Sequence, residues 1–172
     1  FIADATRPWI HHSEIYDVTG DSYNSCGIEL YRTTLAVVED NYIHDNTTGI
    51  FDKDSGNYPE GNQNTYRRNW VIDNDLRGFL GNMNSNEVPL YYIYDNVTDT
   101  PIVLGLLNIG SEVYNNLIFT DDAITVDTGV PSTDTYLANI WNNIAVNPSI
   151  GGPITAYWNN GIPFLASGPS AP

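Results

Sequence analysis

An asparagine recurs along this chain at nearly constant intervals, each time between short runs of β-branched and aromatic residues. The spacings between successive anchors are 28, 28, 27, 20 and 27 residues. The anchors are Ser13, Asn41, Asn69, Asn96, Asn116 and Asn143. A period of this length, with no helical pattern of apolar residues, predicts a solenoid in which each repeat forms one coil.

A second apolar element follows each anchor after a short polar turn. These elements occupy residues 27–31, 49–53, 78–82, 102–106, 123–127 and 154–158. The repeating unit is therefore strand, Asn bend, strand, turn, strand and a loop of variable length. Three short strands in each period of roughly 25 residues predict an all-β fold, a parallel β-helix of about six coils.

The Asn column has a physical reason. A tight bend between two strands needs a residue that tolerates the left-handed backbone conformation, and Asn does so best after Gly. In stacked coils the Asn amides can also donate hydrogen bonds to one another. The repeat therefore predicts an Asn ladder along one edge of the helix.

The repeat phrase V-x-x-N-x-I-x-x-N followed by G-I resembles that of the pectate-lyase-like right-handed parallel β-helices, over roughly residues 9 to 158. The resemblance implies a right-handed coil and a secreted or cell-surface protein that binds or degrades polysaccharide, by a lyase reaction if it is catalytic. Hydrolases, epimerases, phage tailspikes and adhesins share the fold. The alternative is therefore a non-catalytic structural or adhesive solenoid, such as a fibre segment.

The 172 residues suit a single domain, 1–172, with irregular ends at 1–8 and 159–172. The chain begins at Phe1 without a leader-like stretch, and neither end has an evident cap. We expect a fragment of a longer chain, or a processed one, whose open ends are covered by further coils or by end-to-end stacking.

The net charge of the chain limits the classes of partner that it can bind. The chain has 21 acidic against 6 basic residues and a net charge of −15. Such a surface repels nucleic acid and anionic membranes, and no apolar run is long enough to span a bilayer. It also repels a polyuronate, unless a Ca²⁺ ion bridges the two. We expect a polysaccharide partner, with no nucleic acid and no membrane.

Alignment on the anchors predicts which side chains face inward. Three residues before each anchor the core should receive Ile10, Val38, Tyr66, Ile93, Val113 and Ile140. Two residues before each anchor the outward column should be His11, Glu39, Arg67, Tyr94, Tyr114 and Trp141. Glu39 and Arg67 should then pair across adjacent coils, with the aromatic rings stacked beyond them.

The strand after the turn carries active sites in this family. With Ile28, Ile50, Phe79, Ile124 and Ile154 inward, alternation predicts two outward columns. The first is Glu29, Phe51, Leu80, Thr125 and Thr155. The second is Tyr31, Lys53, Asn82, Asp127 and Tyr157, of which we assign Tyr31, Asn82, Asp127 and Tyr157 to substrate binding. Long polar loops after Lys53, Asn82 and Asp127 would wall this groove.

A lyase needs a base to take the proton beside a uronate and cations to neutralise the developing charge. The family resemblance makes Lys53 the base, Arg68 an electrostatic helper, and Asp52 and Asp54 ligands of a Ca²⁺ ion. A hydrolase would instead use a pair among Glu29, Asp52, Asp54 and Asp127. Alternation points Asp52 inward, where a carboxylate needs partners or a metal.

The remaining reactive side chains favour structural roles. His11 and His12 are adjacent, so a continuous strand would send them to opposite faces and prevent joint chelation. His44 lies alone in its repeat phrase. Cys26 is the one cysteine of the chain, which excludes an internal disulfide, and we expect it to be buried.

Overall fold

The computed structural model describes residues 1–53, 63–81, 90–104, 111–120, 124–126, 139–145, 156–159 and 162–165. Their strands form three sheets, which the chain visits in turn. The first sheet contains β1 Ile2–Ala3, β4 Cys26–Tyr31, β7 Thr48–Lys53, β10 Arg77–Leu80, β13 Ile102–Leu104 and β16 Ile124–Val126.

The other two sheets are built from the strands on either side of the Asn anchor. The second sheet contains β2 Trp9–His11, β5 Val37–Glu39, β8 Gln63–Arg67, β11 Leu90–Tyr94, β14 Glu112–Tyr114, β17 Asn139–Trp141, β19 Ala156–Asn159 and β20 Ile162–Leu165. The third contains β3 Glu14–Tyr16, β6 Tyr42–His44, β9 Trp70–Ile72, β12 Val97–Thr98, β15 Leu117–Ile118 and β18 Ile144–Ala145.

Neighbouring strands pair in parallel, except β20, which runs antiparallel to β19. This confirms the all-β parallel solenoid. The expected number of six coils is corrected: about three coils, from Ile2 to Gly81, are described nearly whole, with one gap at 54–62. Beyond Gly81 the described residues supply strands but not the long connections between them.

Two short strands lie within the segments that we expected to be irregular. β1 pairs with β4 through Ile2 and Ala3, and β20 pairs with β19. Short strands persist there because the neighbouring strand supplies partners for their backbone groups. Within the described residues, no helix is long and apolar enough to cross a membrane.

The core is a column of inward side chains, one set per coil, as alternation predicts. Val38, Tyr66, Ile93 and Val113 are buried, and Ile10 packs against them from the first coil. From the first sheet come Ile28, Ile50, Phe79 and Ile124. The side chains of Ile140 and Ile154 lie outside what the structure describes.

The Asn ladder is confirmed. The Nδ2 atoms of Asn41, Asn69, Asn96 and Asn116 each donate to the Oδ1 of the next anchor, at 2.9–3.0 Å. Each of these Nδ2 atoms also donates to a backbone carbonyl of the preceding coil. The Oδ1 of each anchor from Asn41 to Asn143 accepts a hydrogen bond from the backbone N–H of the anchor in the preceding coil. The amides therefore satisfy buried backbone groups as well as one another.

The bend itself differs from the expectation. The left-handed residues, with φ between 50° and 57°, directly precede the anchors: His12, Asp40, Arg68, Asp95, Asn115 and Asn142. The anchor Asn is thus selected for its buried amide, whereas the residue before it adopts the left-handed backbone. Asp, Asn and His tolerate that conformation, and Arg68 is the exception among them.

The second Asn of the repeat phrase forms a shorter ladder at the bend between the third and first sheets. Asn46 Nδ2 donates to Asn74 Oδ1 at 3.1 Å, and Asn46 Oδ1 accepts the Val18 N–H at 3.1 Å. Asp17, Asp45 and Asp73, which directly precede this column, have left-handed φ values of 53–62°. Two bends of the coil therefore use the same arrangement.

We expect Asn69→Ala to lower the free energy of unfolding by about 3 kcal/mol, because it leaves the Val38 carbonyl and the Asn41 N–H buried without their partner. Urea unfolding measures this loss. The matched control is Asn24→Ala, at an exposed Asn, which should change stability by less than about 0.5 kcal/mol. Equal effects of the two substitutions would contradict a stabilising ladder.

Candidate functional site

Tyr31 and Lys53 are neighbours on the outward side of the first sheet, in paired register on β4 and β7. The Arg32 guanidinium lies 4.7 Å from the centroid of the Tyr31 ring, and Phe1 stacks against the same ring at 6.4 Å. Lys53 Nζ lies 5.9 Å from the Phe51 ring centroid. Asn82, Asp127 and Asp54 lie outside the described residues, and Tyr157 is placed in β19 without a described side chain.

Asp52 faces the opposite side of β7 from Lys53, as alternation predicts. Its residue is fully buried, and its Oδ2 accepts hydrogen bonds from Asn64 Nδ2 at 2.7 Å and from the Tyr66 hydroxyl. Burial, together with the nearby Asp52 carboxylate, raises the pKa of Tyr66 well above its ordinary value. The buried carboxylate is thus held by protein donors.

The Asp52 carboxylate, which we expected to bind Ca²⁺, accepts hydrogen bonds from protein donors in the described part of the chain. Calcium takes six to eight oxygen ligands, whereas the contacts of Asp52 Oδ2 are hydrogen-bond donors in the core. Within the described ranges, no group of three or more His, Cys, Asp or Glu side chains could hold a metal ion. The prediction for Asp54 falls outside those ranges.

The outer face of the first sheet is more apolar than expected. Phe51 and Leu80, predicted to face solvent, are 7% and 0% exposed. They form a second hydrophobic cluster with Val103 and Cys26. The strand alternation is right, but apolar side chains on the outer face cover one another along the stack, so an outward direction does not imply contact with water. Cys26 is buried, as expected, which raises the pKa of its thiol to about 12.

Arg68 lies at the bend between the second and third sheets, where it is bound by two carboxylates. It donates to Asp40 Oδ1 and Oδ2 at 2.8 Å and to Glu39 Oε2 at 2.7 Å. Glu39 also accepts from Arg67 at 2.6 Å and from the Trp9 indole at 2.8 Å. We call Glu39, Asp40, Arg67 and Arg68 the Arg68 corner.

These contacts confirm the predicted pairing of Glu39 with Arg67 and explain why Glu39, expected to face solvent, is 6% exposed. The hydrogen bond from Arg67 is the main cause that lowers the pKa of the Glu39 carboxyl. Beyond Arg67, the rings of Tyr94 and Tyr114 stack at 4.8 Å, also as predicted. Trp141 is in register with Tyr114.

The structure does not bring Lys53 and Arg68 together. Lys53 ends a strand of the first sheet, whereas Arg68 follows β8 of the second sheet. Arg68 is moreover paired with Asp40 and Glu39, so its charge is already neutralised locally. The two residues therefore do not form one catalytic constellation.

An aromatic surface on the third sheet was missed by the sequence analysis. Tyr42 and Trp70 are register neighbours on β6 and β9, and they are 38% and 57% exposed. Beside them the His44 ring stacks between Tyr42, at 4.1 Å, and Tyr16, at 5.2 Å. We call Tyr16, Tyr42, His44 and Trp70 the aromatic face.

The sequence contained the signal for this surface. Tyr42 and Trp70 stand directly after the anchors Asn41 and Asn69, and Tyr16 and His44 stand three residues after theirs. Residues two apart in a strand face the same side, so these positions form two adjacent columns. An alignment limited to the strand before the anchor and the strand after the turn does not include these positions.

The aromatic face joins the Arg68 corner through an open groove of about 490 Å³. Its lining residues are Asp40, Asn41, Tyr42, Arg68, Trp70 and Ile72. Aromatic walls with a few charged and amide groups at one side are typical of binding sites for polar organic ligands. Exposed carboxylates of Glu14 and Asp45 flank the opposite side, where both contact His44.

Comparisons with family models, curated proteins and solved structures find no match to this chain. The sheet topology supports the resemblance to pectate-lyase-like helices at the level of the parallel solenoid alone.

We expect the pKa of His44 to lie above its ordinary value of 6.5, chiefly because Asp45 Oδ2 bonds Nδ1 at 2.6 Å and secondly because Glu14 bonds Nε2 at 3.2 Å. NMR titration should show a larger fall in this pKa for Asp45→Asn than for Glu14→Gln. Because the pKa of His44 is raised in the folded state, its ion pairs contribute their full stabilisation below about pH 6.5. That stabilisation is lost as the pH rises through the folded-state pKa of His44. A His44 pKa unaffected by Asp45→Asn would contradict the assignment.

Proposed function

We propose that the protein is a polysaccharide-binding β-solenoid whose glycan lies across the aromatic face and the adjoining groove. The observation that carries the proposal is the exposed pair Tyr42 and Trp70, aligned along the solenoid axis beside charged groups. Sugar rings present C–H faces that pack on aromatic rings and hydroxyls that need polar partners. A site for them therefore combines both kinds of group.

Coil spacing supports an extended, repeating ligand. Neighbouring strands of a sheet lie about 4.8 Å apart, which is close to the length of one pyranose ring along a chain. Tyr42 and Trp70 occupy equivalent positions on adjacent coils. Successive sugars of a chain that runs along the axis would thus meet equivalent rings, as a polymer ligand requires.

Charge supports a neutral or amine-bearing glycan. The chain carries −15, and Glu14 and Asp45 beside the aromatic face are each 60% exposed at the side chain. A polyuronate would be repelled by this field. A polysaccharide ligand also implies a secreted or cell-surface protein, and an adhesive role of the solenoid would use the same surface.

We expect Trp70→Ala and Tyr42→Ala each to weaken polysaccharide binding at least tenfold, which corresponds to about 1.4 kcal/mol, because each removes an exposed ring from the face. Affinity electrophoresis and calorimetry against neutral, amine-bearing and acidic polymers measure this. The control is Phe119→Ala, at a ring that is 46% exposed and lies outside the aromatic face. Undiminished binding by Trp70→Ala, or binding to no polymer of the panel, would overturn the proposal.

The lyase expectation is tested with the same panel, digested with Ca²⁺ and with chelator and scored for unsaturated uronate and for reducing ends. We expect binding without cleavage, because Asp52 and Lys53 face opposite sides of β7 and Arg68 lies at the bend that follows β8 of the second sheet. Unsaturated products that vanish in Lys53→Ala would instead establish a lyase on the first sheet. New reducing ends alone would indicate a hydrolase.

A further inference from the structure

His11 and His12 converge, although adjacent residues of a strand should diverge. Their Nδ1 atoms lie 2.9 Å apart, with the two rings nearly perpendicular at 89°. The reason is the bend: β2 ends at His11, and His12 has the left-handed φ of 50°. That conformation returns the His12 ring to the side of the His11 ring, which corrects the expectation of opposite faces.

The first ring of the pair is held by its surroundings. The His11 ring stacks on Trp9 at a centroid distance of 3.9 Å, and the Trp9 indole donates to Glu39 Oε1 of the Arg68 corner. The backbone is fixed as well, since Ser13 Oγ donates to the His11 carbonyl at 3.0 Å and the Ser13 N–H donates to Asn41 Oδ1 at 3.1 Å. The bend that brings the rings together is therefore part of the Asn ladder.

The two Nδ1 atoms lie close enough to bind a single metal ion. A metal binds imidazole nitrogen at about 2.0–2.1 Å, so two such ligands at a right angle lie about 2.9 Å apart, whereas tetrahedral ligands lie about 3.3 Å apart. The 2.9 Å between His11 Nδ1 and His12 Nδ1 is a hydrogen-bond distance, and rotation of the two rings can direct both nitrogens to one metal ion. Right-angled nitrogen ligands are typical of square-planar or tetragonal Cu²⁺ and Ni²⁺, and Cu²⁺ binds such sites more tightly.

We propose that His11 and His12 form a bidentate imidazole site for Cu²⁺. A metal ion replaces the shared N–H···N hydrogen bond by two coordinate bonds after small rotations of both rings, which are at the surface. Water or an external oxygen ligand completes the coordination, since the described residues contain no group of three metal-binding side chains.

The test is titration of the native full chain with Cu²⁺, followed by calorimetry and by electron paramagnetic resonance. We expect one equivalent to bind with an axial spectrum that shows two nitrogen ligands, and we expect Zn²⁺ to bind at least tenfold more weakly. His11→Gln and His12→Asn should each weaken Cu²⁺ binding at least tenfold. Asn is chosen at position 12 because it tolerates the left-handed backbone.

His44→Gln is the matched control, at the remaining histidine of the chain, and should leave Cu²⁺ affinity unchanged. Circular dichroism and urea unfolding confirm that each variant is folded. Unchanged affinity in both His11→Gln and His12→Asn, equal loss in His44→Gln, or a preference for Zn²⁺ would each overturn the assignment. The outcome is independent of polysaccharide binding, which the Trp70 and Tyr42 variants test separately.

Discussion

The buried amide ladder is the interaction on which the rest of this solenoid depends. Each anchor Asn satisfies a carbonyl of the preceding coil, an N–H of that coil and the amide of the next coil. The chain can therefore turn between two sheets with its backbone groups buried. Because the anchor amide is buried in these hydrogen bonds, the residue before the anchor adopts the left-handed backbone conformation.

The different roles of the anchor and of the residues beside it determine which side chains reach the surface. The residues before successive anchors stack at one corner of the solenoid, where the chain places His12, Asp40 and Arg68 on adjacent coils. The residues directly after the anchors begin the strands of the third sheet, and two of them, Tyr42 and Trp70, face outward. The Cu²⁺ site, the Arg68 corner and the aromatic face are neighbours because their residues all lie within three positions of the stacked anchors Ser13, Asn41 and Asn69.

The two proposals differ in what they require of the fold. Polysaccharide binding needs a surface that repeats from coil to coil, since a polymer presents equivalent groups along its length. The Cu²⁺ site needs one particular bend, because the two nitrogens converge through the φ of His12 and the packing of Trp9. The predicted lyase groups share neither arrangement, since Lys53 ends a strand of the first sheet and Arg68 lies at the bend after the second.

Periodicity in the sequence determined the parallel solenoid, the core column through Val38 and Tyr66, the Asn ladder and the pairing of Glu39 with Arg67. Equivalent positions of a repeat must stack, so spacing alone fixes which residues become neighbours. Only the tertiary structure decided what interrupts that regularity. It gave Asp52 its partners Asn64 and Tyr66 and turned His12 toward His11. These features depend on contacts between non-equivalent positions and on the backbone angle of a single residue, which a repeat does not encode.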